Sequence, residues 1–377
     1  MSVWTELVGQ RHAVEVLREA ATDPGAMTHA WLLTGPPGSG RSNAARAFAA
    51  ALQCTEGGCG RCQACTTTLA GTHADVMVVA TEKVTISIDE VRELIGVAQR
   101  APSQGRWRVI VLEDADRMVE RTSNVLLKAI EEPPPRTVWL LCAPSPQDVV
   151  VTIRSRCRGV ALRVPPVDDV AALLVERDGA DREVARMAAR AAQSHIGLAR
   201  RLARDPAARE RRTRTLRLAA EIRGIGDAVL AAADLVEVAT TEAKAATEDR
   251  DAAERAALLH TLGADGVATL PPSVRSQVKQ LEDDQKRRAT RAQRDVLDRT
   301  LLDLLSLYRD VLVVQLGADV DLVNPVHDEI HRLAAGSTPE QTIRRMDAIG
   351  EARTRLEGNV APLLAMEAMA VALRPQG

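Results

Sequence analysis

Aromatic residues are scarce: they make up 2% of the 377-residue chain, with one Tyr, one Phe and four Trp. Its cores must therefore be filled by Leu, Val, Ile and Ala. Net charge is nearly absent as well, because 49 Lys and Arg face 51 Asp and Glu, leaving −2 at pH 7. That balance excludes bulk attraction to nucleic acid, so any DNA contact must come from a local patch or from a complex. No apolar run is long enough to span a bilayer, and the N-terminus has no signal-peptide pattern. A cytoplasmic protein making no membrane contact is expected. What is abundant is Ala and Leu with Arg, Glu and Asp, a mixture that favours helix. The hydrophobic share of 46% is ample for buried cores, and the length suggests two or three domains.

The chain divides by pattern. Up to about Val164, short apolar runs at Ala30–Thr34, 75–80, Arg108–Leu112 and 138–142 alternate with helical stretches such as 42–54 and 88–99. Strands buried on both faces and separated by helices predict a doubly wound α/β domain with a parallel sheet. After Pro165 and Pro166 the strand runs stop, and 168–204 reads as a small helical domain. Residues 239–294 are dense in charge and predict two long, solvated helices joined by a turn near 263–272. An exposed helical spacer is the plainer reading of the same stretch. Leu297, Leu301, Leu304, Tyr308, Val311, Leu312 and Gln315 follow helical spacing, with Gly317 as the stop. Pro362–Leu373 predicts a last apolar helix, either intradomain core or an oligomer seam.

Two motifs carry phosphate chemistry. Gly35-Pro36-Pro37-Gly38-Ser39-Gly40-Arg41-Ser42 nearly matches the P-loop pattern, between an apolar strand and a helix. Gly35, Gly38 and Gly40 let backbone N–H groups curl around phosphate, the helix N-terminus adds its positive end, and Ser42 could hold Mg²⁺. The departure is Arg41 in place of Lys, a bulkier planar cation that should weaken phosphate binding. The strand 109–112 then ends in Glu113 and Asp114, as a Walker B site requires for Mg²⁺ and for polarising water. The usual order is Asp then Glu. Here the shorter Asp114 sits where a longer base is expected.

Of six cysteines, Cys54, Cys59, Cys62 and Cys65 fall within a dozen residues of a Gly-rich stretch, while Cys142 and Cys157 stand alone. Clustering of that kind in a cytosolic chain favours metal over disulfides. Four thiolates suit tetrahedral structural Zn²⁺ and leave no open position for catalysis. An iron–sulfur cluster or free thiols are the alternatives. His73 is surplus to the four-ligand set.

Further segments make the pattern specific. They are Trp4-Thr5-Glu6-Leu7-Val8-Gly9-Gln10, Thr28-His29-Ala30, the helix Leu126-Leu127-Lys128-Ala129-Ile130-Glu131-Glu132-Pro133-Pro134, and Thr152-Ile153-Arg154-Ser155-Arg156-Cys157. With the P-loop and the cysteine module, these resemble the AAA+ clamp-loader family of bacterial DNA polymerase III over about Val3 to Leu202. The helical remainder is similar only in general character and in its closing Gly358-Asn359-Val360. The resemblance implies a RecA-like AAA+ core over 1–165 with the zinc module at 54–65. A helical lid over 166–207 and an all-α collar over 208–377 complete it, with the charged extension at 239–294.

Within the family the details look like the delta-prime type rather than the ATP-hydrolysing gamma/tau motor type, which is the alternative. The polar sensor after the 138–142 strand falls at Ala143 or Pro144, and the lid-sensor arginine falls near Gly197, so neither side chain could bind a γ-phosphate. Together with Arg41 and Glu113-Asp114, these positions imply that ATP and Mg²⁺ would bind only weakly in the chain's own site. Arg156 is intact, and the resemblance implies that it acts in trans as an arginine finger on the ATP of a neighbouring subunit. The expected partners are gamma/tau ATPase subunits, the delta subunit, the sliding clamp and, through the complex, primer-template DNA, in a hetero-pentamer. A zinc-bearing scaffold unrelated to replication is the third reading, and a plain scaffold needs no arginine finger.

Overall fold

The computed structural model describes residues 2–81, 85–264, 271–358 and 360–375, apart from the side chains of Ala246, Asp249 and Ser273. Asn359 of the closing motif and most of the turn expected at 263–272 lie outside the described residues. The chain forms two compact units, Met1–Arg204 and Asp205–Gly377.

In the first unit the order is α1 (Arg11–Thr22), β1 (Ala30–Thr34), α2 (Arg41–Gln53), α3 (Gln63–Leu69), β2 (Val76–Val79), α4 (Ile88–Ala98), β3 (Arg108–Leu112), α5 (Glu120–Glu131), β4 (Thr137–Ala143), α6 (Val151–Arg154), β5 (Arg158–Ala161), α7 (Val167–Asp178), α8 (Arg182–Ala191) and α9 (Ile196–Arg204). The strands form one sheet in the order β2-β3-β4-β1-β5, with every neighbouring pair parallel. Both faces are covered. Trp31, Leu33, Val109, Val111, Val138 and Leu140 point to one core, while Leu32, Ile110, Leu112, Trp139 and Leu141 point to the other. Five of the six aromatics lie in this unit, and Trp31 packs edge-on against Phe48 of α2 at 5.1 Å.

The four predicted strands are present with shifts of a residue or two at their ends. The fifth, β5, was not predicted, because Arg158-Gly159-Val160-Ala161 has a single buried side chain and lies at the sheet edge beside β1. It follows directly on the Ser155-Arg156-Cys157 segment.

The second unit is helical: α10 (Pro206–Ala220), α11 (Ile225–Thr261), α12 (Pro272–Gln315), α13 (His327–Ala335), α14 (Pro339–Glu357) and α15 (Pro362–Leu373). The predicted stripe Leu297, Leu301, Leu304, Tyr308 and Val311 is buried in its core, and Leu373, Met366 and Met369 of α15 join it. Gly317, at φ 61°, ends α12, and Ala318 N donates to Val313 O at 3.1 Å. That is the left-handed stop Gly favours.

The charged stretch forms an antiparallel hairpin from the distal half of α11 and the start of α12. Between the core and the tip, ion pairs replace apolar packing. Arg288 reaches Glu254 at 2.5 Å and Asp251 at 3.0 Å, and Arg255 reaches Glu282 at 2.6 Å. Ala264, Val274 and Val278 close a small apolar cluster with Leu258, Leu259 and Leu262.

Candidate functional site

The P-loop stretch spans the turn from β1 into α2. Gly35, Gly38 and Gly40 have φ of 157°, 86° and 88°. The last two lie where only glycine is comfortable. Gly40 caps α2, whose first turn holds no acidic residue, so its free N–H groups and dipole face the loop unopposed. The loop is held from three sides. Gly35 N donates to Pro144 O at 3.2 Å, just past β4. Gln10, 4% exposed, donates through Nε2 to Ser39 O at 3.1 Å and to Arg163 O at 2.6 Å, while Arg163 N donates back to its Oε1 at 3.1 Å. The third contact is with His195: a Cβ on Gly38 would lie 2.6 Å from the His195 Cα. His195 follows Gln193 and Ser194, two non-glycine residues at φ 47° and 64° in the turn between α8 and α9. Gly197 lies two residues further on.

The charged groups near the loop are already engaged. The Arg41 guanidinium folds back and donates to Gly35 O. Glu113 is held by Arg46, one turn further along α2, at 2.8 Å. Asp114 accepts from Thr81 N at 3.2 Å and faces Arg117 at 3.6 Å. Burial pushes the Asp116 carboxyl above its usual range, with Asp114 adding to the push against Arg117 and Arg41. Ala143 is fully buried at the end of β4 and offers no polar side chain. Arg46, Asp116 and the clasp made by Gln10 were not singled out from sequence. Nothing in the spacing of Arg46 and Glu113 signals their meeting, which follows from α2 packing over β3.

Arg156 is elsewhere. It lies just past α6, exposed, donating to Thr152 O at 2.8 Å and to Ser155 Oγ at 3.2 Å and paired with Glu131. Cys157 next to it is a half-buried thiol pushed up to about 12 by burial.

The four clustered cysteines meet as predicted. Cys54 is the C-cap of α2 and Cys62 the N-cap of α3, so helix ends place two ligands while Gly57, Gly58 and Gly60, all at positive φ, fold the loop between them. All four sulfurs lie within 4.8 Å of one another, and Cys54 Sγ is 3.7 Å from both Cys59 Sγ and Cys62 Sγ. A tetrahedron of sulfurs about 2.3 Å from zinc has edges of about 3.8 Å, so the set fits that ion. Burial raises the Cys54 thiol, but N–H groups of Cys59, Gly58 and Glu56 outweigh it and bring it down to about 6. Cys65, buried, is pushed well up by desolvation. His73 Nδ1 instead accepts from Asp75 N at 3.1 Å, outside the cluster.

Residues 9–166 match the family model described as DNA polymerase III, delta subunit. Among curated proteins, the chain is 40% identical over 143 residues to the DNA polymerase III subunit delta' of Pseudomonas aeruginosa, covering 36% of this chain and 44% of that one. It is 34% identical over 176 residues to DNA polymerase III subunit gamma/tau of Mycobacterium tuberculosis, covering 45% and 30%. The chain thus spans less than half the length of either relative. A solved DNA polymerase III gamma-subunit-related protein of Thermotoga maritima aligns over 96% of this chain and 98% of its own at 15% identity and a TM-score of 0.45. No described helix is long and apolar enough to cross a membrane.

Proposed function

We propose that this chain is a delta-prime-like clamp-loader subunit, a reading supported by the match of residues 9–166 to the DNA polymerase III delta-subunit family model. In this reading it supports ATP-dependent loading of the sliding clamp onto primed DNA while contributing little hydrolysis of its own. The observation that carries the reading is the contrast between two arginines. Arg41 is turned into its own loop, onto Gly35 O, whereas Arg156 stands exposed on the surface. The first is withdrawn from phosphate, and the second, held only by an exposed pair with Glu131 and local bonds to Thr152 and Ser155, could turn outward to one in a neighbour.

The nucleotide pocket in cis keeps the cradle and loses the machinery. Gly35, Gly38, Gly40 and the α2 N-terminus would hold phosphate oxygens. Glu113 and Asp114 are bound to Arg46, Thr81 and Arg117, so neither is free to orient a metal or a water. Zinc would be held by Cys54, Cys59, Cys62 and Cys65, where its contribution is to fold the loop. Arg156 would be offered in trans to a gamma/tau-type ATPase beside it, within a hetero-pentamer that also holds the delta subunit, the clamp and, through the assembly, primer-template DNA.

The competing reading is a gamma/tau-type motor, favoured by the 34% identity to gamma/tau chains. Steady-state ATPase assays of the full chain alone and mixed with gamma/tau and delta subunits separate the two. The delta-prime reading expects negligible turnover alone and, in the assembly, turnover reduced by Arg156→Ala. Robust turnover by the chain alone, abolished by Ser42→Ala, would establish the motor reading instead.

A further inference from the structure

We propose that the four-cysteine module positions the P-loop through the N-terminal arm, with Trp4 and Gln10 as the positioning residues. The proposal rests on the reading of the cysteines as a metal site and of 35–42 as a phosphate loop. The arm is seated on the loop that the cysteines fold. Val3 N and Ser2 Oγ both donate to Gly58 O, at 3.1 and 3.0 Å, and Trp4 Nε1 donates to Gly57 O at 3.1 Å. Gly57 and Gly58 lie between Cys54 and Cys59, so the two accepting carbonyls have their positions fixed by the ligands on either side.

The fit is tight. Trp4 is 5% exposed, and a Cβ on Gly58 would come within 2.6 Å of Val3 Cγ2 and 3.0 Å of Trp4 Nε1. No side chain is tolerated there while the arm is docked. From Trp4 the chain runs to the P-loop through successive hydrogen-bonded turns: Leu7 N to Trp4 O at 3.1 Å and Gln10 N to Leu7 O at 3.3 Å. Gln10 then grips Ser39 O and both backbone groups of Arg163. Gly9, at φ 73°, packs against Pro165 and Pro166 at the start of the helical segment that carries His195. A second route runs in parallel, because α2 starts at the P-loop and ends on the ligand Cys54.

Without the metal, nothing ties the four sulfurs together and nothing fixes the Gly57 and Gly58 carbonyls. The arm then loses three hydrogen bonds at one end, and the Gln10 clasp at the other end loses its tether. Coupling is reciprocal, so weakening the arm must also loosen the metal.

The test uses the full chain with bound zinc measured and amide hydrogen exchange read by peptide. Removing zinc with a chelator is expected to speed exchange in 3–10 and 38–41 by about tenfold, the scale of one lost hydrogen bond's worth of protection, while the β4 core at 138–142 stays protected. Unchanged exchange in 3–10 after the zinc has left would overturn the proposal. Should zinc removal unfold the whole first unit, Trp4→Phe and Gln10→Ala, measured with zinc bound, still decide it. Trp4→Phe is expected to speed exchange at 38–41 and to quicken zinc transfer to a chromogenic chelator about threefold. Gln10→Ala is expected to speed exchange at 38–41 and at Arg163, whose N–H loses its acceptor. Wild-type exchange at 38–41 in both variants, with wild-type zinc transfer in Trp4→Phe, would refute the relay. A protein that carries no zinc as purified would sink the metal reading separately, and Trp4→Phe would still report on whether arm and P-loop are linked.

Discussion

Arg156 Nε lies 2.5 Å from Glu131 Oε1, joining the last residue of α5 to the arginine of the Ser-Arg-Cys segment, and the two side chains are 40% and 42% exposed. A pair that open to water is worth less than about 1 kcal/mol. Glu131 therefore restrains Arg156 only lightly, so under the proposed role in trans the arginine would leave this pair at little cost. Glu131→Gln is expected to leave the thermal midpoint of the chain within about 2 °C of wild type and to raise assembled-loader ATPase, by no more than about fivefold. A fall to the level of Arg156→Ala would mean that Glu131 aims the arginine rather than parking it.

The cysteine cluster makes a simple prediction about content. Protein purified without chelator should carry about one zinc per chain. Cys59→Ser, which alters a half-buried ligand, should release it and lower the thermal midpoint. Metal analysis finding none would return the cluster to free thiols.

How much of this was legible in the sequence follows from range. The strands Ala30–Thr34 and Arg108–Leu112, the stripe from Leu297 to Val311 and the convergence of four cysteines are local patterns, and local pattern reports burial and helix ends well. β5 was invisible because its four residues bury one side chain and owe their strand form to pairing with β1. Arg46 meeting Glu113, Gln10 gripping Ser39 and Arg163, and Trp4 resting on Gly57 join residues 29 to 153 positions apart. Such contacts depend on how α1, α2 and the sheet pack, and no period in the sequence encodes that.

Asp75 predicts an acid sensitivity. Its side chain is fully buried and accepts from Ser103 N at 2.8 Å, Gln104 N at 2.7 Å and Gly105 N at 2.5 Å, with Arg108 at 3.0 Å. Burial alone would raise this carboxyl. The N–H donors win and hold it well below the usual carboxylate range. A depressed folded value means the stabilisation is complete above the unfolded value of about 4 and is lost as pH falls below it. Asp75→Asn should cost about 3 kcal/mol at pH 7, mostly by stranding Arg108 and mispairing the N–H groups. Its deficit relative to wild type should shrink steadily in urea melts between about pH 4 and pH 2. A deficit that stays constant across that window would contradict the ionised, N–H-bound carboxylate.

The hairpin of α11 and α12 predicts a local salt dependence. Its middle is joined by Arg288 to Glu254 and Asp251 and by Arg255 to Glu282, and Gln285 Nε2 adds a bond to Asp251 O at 2.9 Å. Arg288 is 11% exposed, so its pairs are screened less than the outer Arg255 pair, whose side chains are both 49% exposed. The Glu254 carboxyl, bonded by Arg288 and Arg250 against some desolvation, is brought down to about 2. Arg288→Ala should leave the Leu297–Val311 core folded, because that core closes on α14 and α15 without the hairpin's help. Amide exchange in residues 247–262 should quicken about tenfold, for a local loss of about 1.4 kcal/mol. Raising the salt to 1 M should reproduce part of that change in the wild type and little in the variant. Equal salt responses in the two proteins would show that the apolar tip at Val274 and Val278, rather than the ion pairs, keeps the hairpin closed.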